Sequence, residues 1–76
     1  MERPTAYWDL FDQYTRKPLE SGRMVNDKRE PVKGENLAGV GDYGLVTVVD
    51  FKQTGSEDGI PRYDVFVRII ARQDYW

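Results

Sequence analysis

The amino-acid sequence predicts a small α+β domain, in which one N-terminal helix packs on an antiparallel sheet of three or four strands. Two observations lead to this fold class. The segments 45–52 and 63–72 are rich in β-branched and aromatic residues, which is typical of paired strands. The segment 6–16 has apolar residues at helical spacing. An all-β barrel of the SH3 or OB type is the alternative fold.

The N-terminal segment 6–16 is predicted to be a helix. Its residues at positions i, i+3, i+4 and i+7 are Tyr7, Leu10, Phe11 and Tyr14. Thr5 is a candidate N-cap, and Pro18 disfavours helical geometry in the residue before it. A strand is the rival interpretation, because aromatic residues and threonine favour sheets and Trp8, Leu10 and Tyr14 have the same parity.

The middle of the chain carries weaker signals. Residues 19–30 contain one apolar pair, Met24 and Val25, between turn-forming residues, so at most a short strand is expected there. Residues 31–44 contain four glycines and few apolar residues, which predicts a long loop. Residues 39–44 match the G-x-G-x-x-G pattern, but they lead into a strand rather than from a strand into a helix. A dinucleotide site is therefore excluded.

The C-terminal hairpin is predicted to pair 45–52 with 63–72 through the acidic, glycine-containing loop 53–61. In the second strand the odd-numbered residues from 63 to 71 are all apolar, so one face of this strand is expected to face the core. The predicted core residues are Val49, Phe51, Val65, Val67 and Ile69.

Composition excludes several functional classes. The chain of 76 residues contains no Cys and no His, which removes the usual ligands of zinc, haem and iron–sulfur clusters. No catalytic, cofactor or metal site is predicted, so we expect a single non-enzymatic domain, 1–76. The sequence has no apolar run of transmembrane length and no signal-peptide pattern at its N-terminus, which predicts a cytoplasmic protein without a membrane partner.

Aromatic and basic residues are the candidates for partner binding. The chain has ten aromatic residues, and aromatic side chains and arginines are frequent anchors of protein interfaces. Aromatics lie close to both ends of the chain, and basic residues concentrate in 16–33. The predicted partner-binding residues are Tyr7, Trp8, Arg16, Lys17, Arg23, Lys28, Arg29, Tyr75 and Trp76.

The favoured function is that of a small protein-binding module with a larger protein or complex as its partner. Its profile is typical of small inhibitors, many of them phage-borne and directed against host defence, which cover a surface of their target. This is an analogy at the level of a class. Nucleic-acid binding is the first alternative, because Phe66, Arg68 and Arg72 share one strand face, but the acidic pI of about 5.0 opposes it. A dimeric structural subunit is the second alternative.

Overall fold

Five β-strands make up the fold, and the described part of the chain contains no helix. The computed structural model describes residues 3–27, 30–40 and 43–72. The strands are β1 (Ala6–Asp12), β2 (Pro18–Val25), β3 (Asn36–Val40), β4 (Tyr43–Glu57) and β5 (Ile60–Arg72). The predicted α+β class with an N-terminal helix is therefore wrong, and the all-β alternative is nearer to the structure.

Residues 6–16 form β1 and the turn after it instead of a helix. The buried residues Ala6, Trp8 and Leu10 alternate with partly exposed ones, which is the two-residue period of a strand. The helical spacing misleads because it combines Leu10, which points into the core, with residues on the opposite face of the sheet. Pairing with β2 on one side and β5 on the other outweighs the local helix signal.

The chain reverses after β1 at a turn held by Asp12. The Oδ1 atom of Asp12 accepts hydrogen bonds from the backbone N–H groups of Tyr14 at 2.7 Å and Thr15 at 3.2 Å. Arg16 has a positive φ of 63° and donates its backbone N–H to the Asp12 carbonyl at 2.8 Å. The turn returns the chain as β2, which is eight residues long, although at most a short strand is predicted within 19–30.

The five strands form one sheet in the order β2-β1-β5-β4-β3. The β1–β2, β3–β4 and β4–β5 pairs are antiparallel, whereas β1 and β5 are parallel. A meander of five strands reverses direction at each connection, so its first and last strands run the same way and meet as a parallel pair. Within the described residues β2 and β3 do not pair, so the sheet is a half-barrel that is open between these two strands.

The β4–β5 hairpin is longer than predicted, and its loop is a two-residue turn. The strands extend beyond 45–52 and 63–72 until Glu57 pairs with Ile60. Asp58 and Gly59 have φ angles of 55° and 80°. Positive φ at both central residues is typical of a type I′ turn, for which Asp-Gly is a preferred sequence. The prediction of a loop over 53–61 is therefore wrong.

The core fills the inside of the half-barrel. Val65 and Val67 are fully buried, and Phe51 and Ile69 pack against the core, as predicted. The buried cluster consists of Ala6, Trp8, Leu10, Val25, Val40, Val46, Val48, Tyr63, Val65 and Val67.

Val49 is not a core residue, which corrects the prediction. A β-bulge between Val48 and Asp50 inserts an extra residue into β4. Val48 therefore points into the core and Val49 does not, while Phe51 faces inward again beyond the bulge. Strict two-residue alternation along β4 cannot reveal such a shift.

β3 lies within the segment 31–44, for which a loop is predicted, so that prediction is also wrong. Asn36–Val40 pairs antiparallel with the beginning of β4. Gly39 has a φ of 65°, and the residues that face the core, Leu37 and Val40, are three positions apart rather than two. The strand therefore shows no two-residue period in the sequence.

Candidate interaction surfaces

The parallel β1–β5 pair presents a row of partly exposed side chains on the side of the sheet away from the core. We call this surface the outer face. Its members alternate with the buried residues of the same two strands. The outer face consists of Tyr7, Asp9 and Phe11 from β1 and Arg62, Asp64, Phe66, Arg68 and Ile70 from β5.

Asp9 and Arg62 form an ion pair in the middle of the outer face. The Arg62 guanidinium donates two hydrogen bonds to the Asp9 carboxylate, from Nε to Oδ2 and from Nη2 to Oδ1, each 2.9 Å long. Oδ1 also accepts the backbone N–H of Gly22 at 2.8 Å and the Ser21 hydroxyl at 3.2 Å. One carboxylate thus connects β1 with β5 and β2.

These contacts shift the pKa values of both partners. Burial on its own would raise the pKa of Asp9, but hydrogen bonds from Arg62, Gly22 and Ser21 outweigh burial and place this pKa below its ordinary value. The hydrogen bonds to Asp9 raise the pKa of Arg62 in turn. Both pKa shifts favour the charged forms of the two side chains.

An aromatic cluster lies at the end of the outer face near the β1–β2 turn. The rings of Phe11 and Phe66 are 5.8 Å apart between centroids, and the Arg16 guanidinium lies 4.6 Å from the centroid of Phe66. Arg16 has a positive φ and is held in the turn after β1 by the hydrogen bond from its backbone N–H to the Asp12 carbonyl. Beside it is a shallow cavity of about 220 Å³ that includes Val49 and Asp50 in its lining.

Three exposed apolar side chains extend this surface. Tyr14, in the turn beside Arg16, is 79% exposed, and Ile70, at the end of the outer face, is 47% exposed. Met24 is the Cα partner of Tyr7 on β2 and is 66% exposed. Together with the aromatic cluster, they make this side of the sheet rich in residues that are common in protein interfaces.

A second surface is the cleft between β2 and β3, which has a volume of about 430 Å³. Trp8 and Leu37 contribute to its lining. The Arg23 side chain crosses the cleft, since Nη2 lies 3.3 Å from the backbone carbonyl of Ala38 on β3. Arg23 also forms a salt bridge with Glu20 at 2.8 Å, so its charge is balanced within β2.

Comparisons of the chain with protein-family models, with curated proteins and with solved structures found no match. The fold and these two surfaces are therefore the only basis for a functional argument. In residues 3–27, 30–40 and 43–72, no three acidic side chains converge in a way that could hold a metal ion. The same residues form no helix long and apolar enough to cross a membrane.

The structure separates the predicted partner-binding residues. Tyr7 and Arg16 lie with the outer face, Lys17 is exposed in the turn, and Arg23 lies in the cleft. Trp8 is only 1% exposed, so its ring packs the core rather than facing a partner. The other four predicted residues, Lys28, Arg29, Tyr75 and Trp76, lie outside the described residues.

Several residues of these surfaces were missed by the sequence-based prediction. Arg62 and Asp9 are far apart along the chain, and nothing local connects them. The sequence places Phe66 on one strand face with Arg68, and the structure has both on the outer face, but Phe66 is not among the predicted partner-binding residues. The Asp12-x-x-x-Arg16 turn could be found only once β1 is known to be a strand.

Proposed function

We propose that the protein is a small, non-enzymatic protein-binding module that covers a surface of a larger protein with its outer face. One observation carries the proposal. The Phe11–Phe66 ring pair, with the Arg16 guanidinium over Phe66, shares the outer face with the exposed Ile70, and the exposed Tyr14 is in the turn that follows β1. Aromatic residues and arginine are enriched where proteins bind one another, and large apolar side chains gain free energy when a partner removes them from water.

The charges of the outer face favour a protein over a nucleic acid as the partner. Arg62 is neutralised by Asp9, and Asp64 lies on the same strand between Arg62 and Phe66. Acidic and basic groups therefore alternate along the face, whereas a strand of phosphates binds best to a continuous positive track. Phe66 and Arg68 remain the strongest argument for the nucleic-acid alternative.

Inhibition is the most economical role for such a module. A domain of 76 residues without a catalytic constellation acts on its partner by occupying a surface, and the partner loses whatever that surface does. The proposal keeps the phage-type inhibitor class and the cytoplasm as the expected biological setting. Identification of the partner tests the inhibitor class and the cytoplasmic setting together.

Affinity capture with paired variants tests the proposal. The bait variant Tyr14→Ser combined with Ile70→Thr removes apolar surface from the outer face, and Val32→Thr is the matched control, because Val32 is 58% exposed but lies in the β2–β3 connection. A protein captured from lysate by the wild type is then purified, and its Kd is measured against all three forms. We expect at least tenfold weaker binding to the double variant and wild-type affinity for Val32→Thr.

Two results would contradict the proposal. The first is equal affinity of the partner for the wild type and the double variant, with both folded to the same extent by circular dichroism. The second is capture that disappears on nuclease treatment and weakens steeply between low and physiological salt, which would support nucleic-acid binding instead.

A further inference from the structure

In the described sheet, long stretches of strand edge without a neighbouring strand occur at β2, at β3, in the part of β4 beyond Val48 and at 68–72 of β5. All of them except β3 carry features that hinder further pairing, and the β5 stretch carries Arg68 and Arg72. β2 begins with Pro18 and has an irregular register with β1. The part of β4 that extends beyond β3 carries bulges near Val49 and Thr54, and it also carries the charged residue Lys52. β3 has neither a charged residue nor a proline, and its register with β4 is regular. β3 is thus the least protected edge.

The hydrogen bonds of β3 show which backbone groups face the cleft. The Glu35 carbonyl accepts the Val48 N–H at 2.8 Å, so the groups of Glu35 point toward β4. Because backbone groups alternate in direction along a strand, those of Asn36 and Ala38 point toward β2. The contact from Arg23 to the Ala38 carbonyl confirms this direction.

The Arg23 side chain crosses the cleft and so limits the distance between β2 and β3. β2 and β3 are too far apart to pair directly, yet the Arg23 side chain spans the gap to Ala38. Paired strands are about 4.8 Å apart, so two strands with one missing between them are separated by about 9.6 Å. An arginine side chain bridges a gap of this order, so the cleft has room for one strand once Arg23 moves away from the Ala38 carbonyl to which it donates.

We propose that the β2–β3 cleft binds one extended segment of another protein, which pairs with the Asn36 and Ala38 backbone groups as an added strand. Apolar side chains at alternate positions of the segment would face Leu37, which is partly buried against the core. Asp27, an exposed acidic residue in the lining of the cleft, favours a Lys or Arg in the segment. This inference concerns a different surface from the outer face and does not rest on the proposed function.

Selection from a random library of linear decapeptides against the intact protein tests the proposal. We expect the selected peptides to share alternating apolar residues and a Lys or Arg. Their binding should shift the amide NMR signals of Asn36 and Ala38 rather than those of the outer face. N-methylation of alternate peptide bonds should weaken binding at least tenfold, because it removes the donors to β3.

Variants at one position separate backbone pairing from side-chain contact. Ala38→Pro removes a backbone N–H that faces the cleft and should weaken peptide binding at least tenfold, whereas Ala38→Ser keeps this group and should bind like the wild type. The N-methylated peptides decide the question if Ala38→Pro does not fold. Three results would overturn the proposal. The first is a selection that yields no binders, and the second is a set of binders that shifts only the NMR signals of the outer face. The third is binding that survives N-methylation of the odd-numbered peptide bonds and also of the even-numbered ones.

Discussion

Asp9 contributes to stability as an ionised group that joins three strands. Its carboxylate binds Arg62 on β5 through two hydrogen bonds and accepts two more from Gly22 and Ser21 on β2. Because the Asp9 side chain is only 15% exposed, this pair is screened less than an ordinary surface ion pair. Removing the carboxylate would also leave Arg62 without its main acceptor.

The pH dependence of stability follows from the pKa of Asp9, which lies below its ordinary value in the folded protein. The contribution of Asp9 is therefore complete above its unfolded-state pKa of about 3.9 and is lost as the pH falls through the lower folded-state pKa. We expect Asp9→Asn to lower the free energy of unfolding at pH 7 by about 1 to 3 kcal/mol and to flatten its decrease below about pH 4. Urea denaturation at several pH values measures both effects.

Asp64→Asn is the matched control for this experiment, since Asp64 is the Cα partner of Asp9 on β5. It should change the free energy of unfolding at pH 7 by less than about 0.5 kcal/mol. If the two variants lose the same free energy of unfolding, the hydrogen bonds around Asp9 contribute no more to stability than the surroundings of Asp64.

The bulge in β4 gives two adjacent valines opposite roles. Val48 is 1% exposed in the core, whereas Val49 is partly exposed beside the shallow cavity near Phe66. We expect Val48→Ala to lower the free energy of unfolding by about 1 to 3 kcal/mol and Val49→Ala to lower it by less than about 1 kcal/mol. Chemical denaturation of both variants measures the difference, and a larger loss for Val49→Ala would place the bulge elsewhere.

At the scale of elements, the β4–β5 hairpin is the part that local sequence specifies best. Its turn needs positive φ at Asp58 and Gly59, and this dipeptide is a strong hairpin signal. Residues 52–59 are exposed, so this end of the hairpin has few core contacts to maintain its register. The turn therefore sets the register of the distal hairpin.

Gly59→Ala tests the contribution of the turn. A Cβ added at Gly59 meets no atom within 4 Å, so the effect comes from the φ of 80° alone. We expect a loss of about 1 kcal/mol in the free energy of unfolding, measured by thermal or urea denaturation. Ser56→Ala, in the same exposed part of the hairpin, is the control and should be nearly neutral. A neutral Gly59→Ala would mean that the turn tolerates another conformation.

The elements differ in how far the sequence predicts them, and the reasons are physical. β5 is evident because the odd-numbered residues from 63 to 71 are all apolar, whereas charged residues occur only at even-numbered positions of this segment. β1 is ambiguous because its apolar residues fit both a helix and a strand, and only pairing with distant strands decides between them. β3 is hidden because Gly39 disrupts its alternation.

The candidate site is harder to predict than the elements. The Asp9–Arg62 pair joins residues 53 positions apart, and only the parallel contact between β1 and β5 brings them together. Arg16 is recognisable as a basic residue, but its contact with Phe66 requires both the turn at Asp12 and the same β1–β5 contact. The sequence therefore predicts which types of residue make the contacts, but it does not predict how these residues are arranged in space.

At the scale of the whole molecule, the half-barrel combines a well-paired centre with open margins. β5 lies in the middle of the sheet with neighbours on both sides, and Val65 and Val67 are fully buried there. β2 and β3 are its outermost strands, and the cleft separates them. Local stability should therefore fall from the centre of the sheet to its margins.

Amide hydrogen exchange followed by NMR measures this gradient. We expect the amides of Val65 and Val67 to exchange slowest, near the rate of global unfolding, and those of Asn36 and Ala38 to exchange at least a hundredfold faster. Leu37, whose backbone groups point toward β4, serves as the internal control within β3. Protection of Ala38 equal to that of Val67 would mean that a strand already occupies the cleft in solution.

The parallel contact between β1 and β5 also affects the order of events during synthesis on the ribosome. β1 emerges before the other strands, but its second neighbour, β5, is made only after β2, β3 and β4. Until β5 is available, β1 can pair only with β2 as an isolated hairpin, which is marginally stable. The β4–β5 hairpin can form quickly from local contacts, whereas pairing between β1 and β5 must wait until β5 has left the ribosome. The complete sheet is therefore expected to form only after β5 has been made, and not strand by strand as the chain emerges.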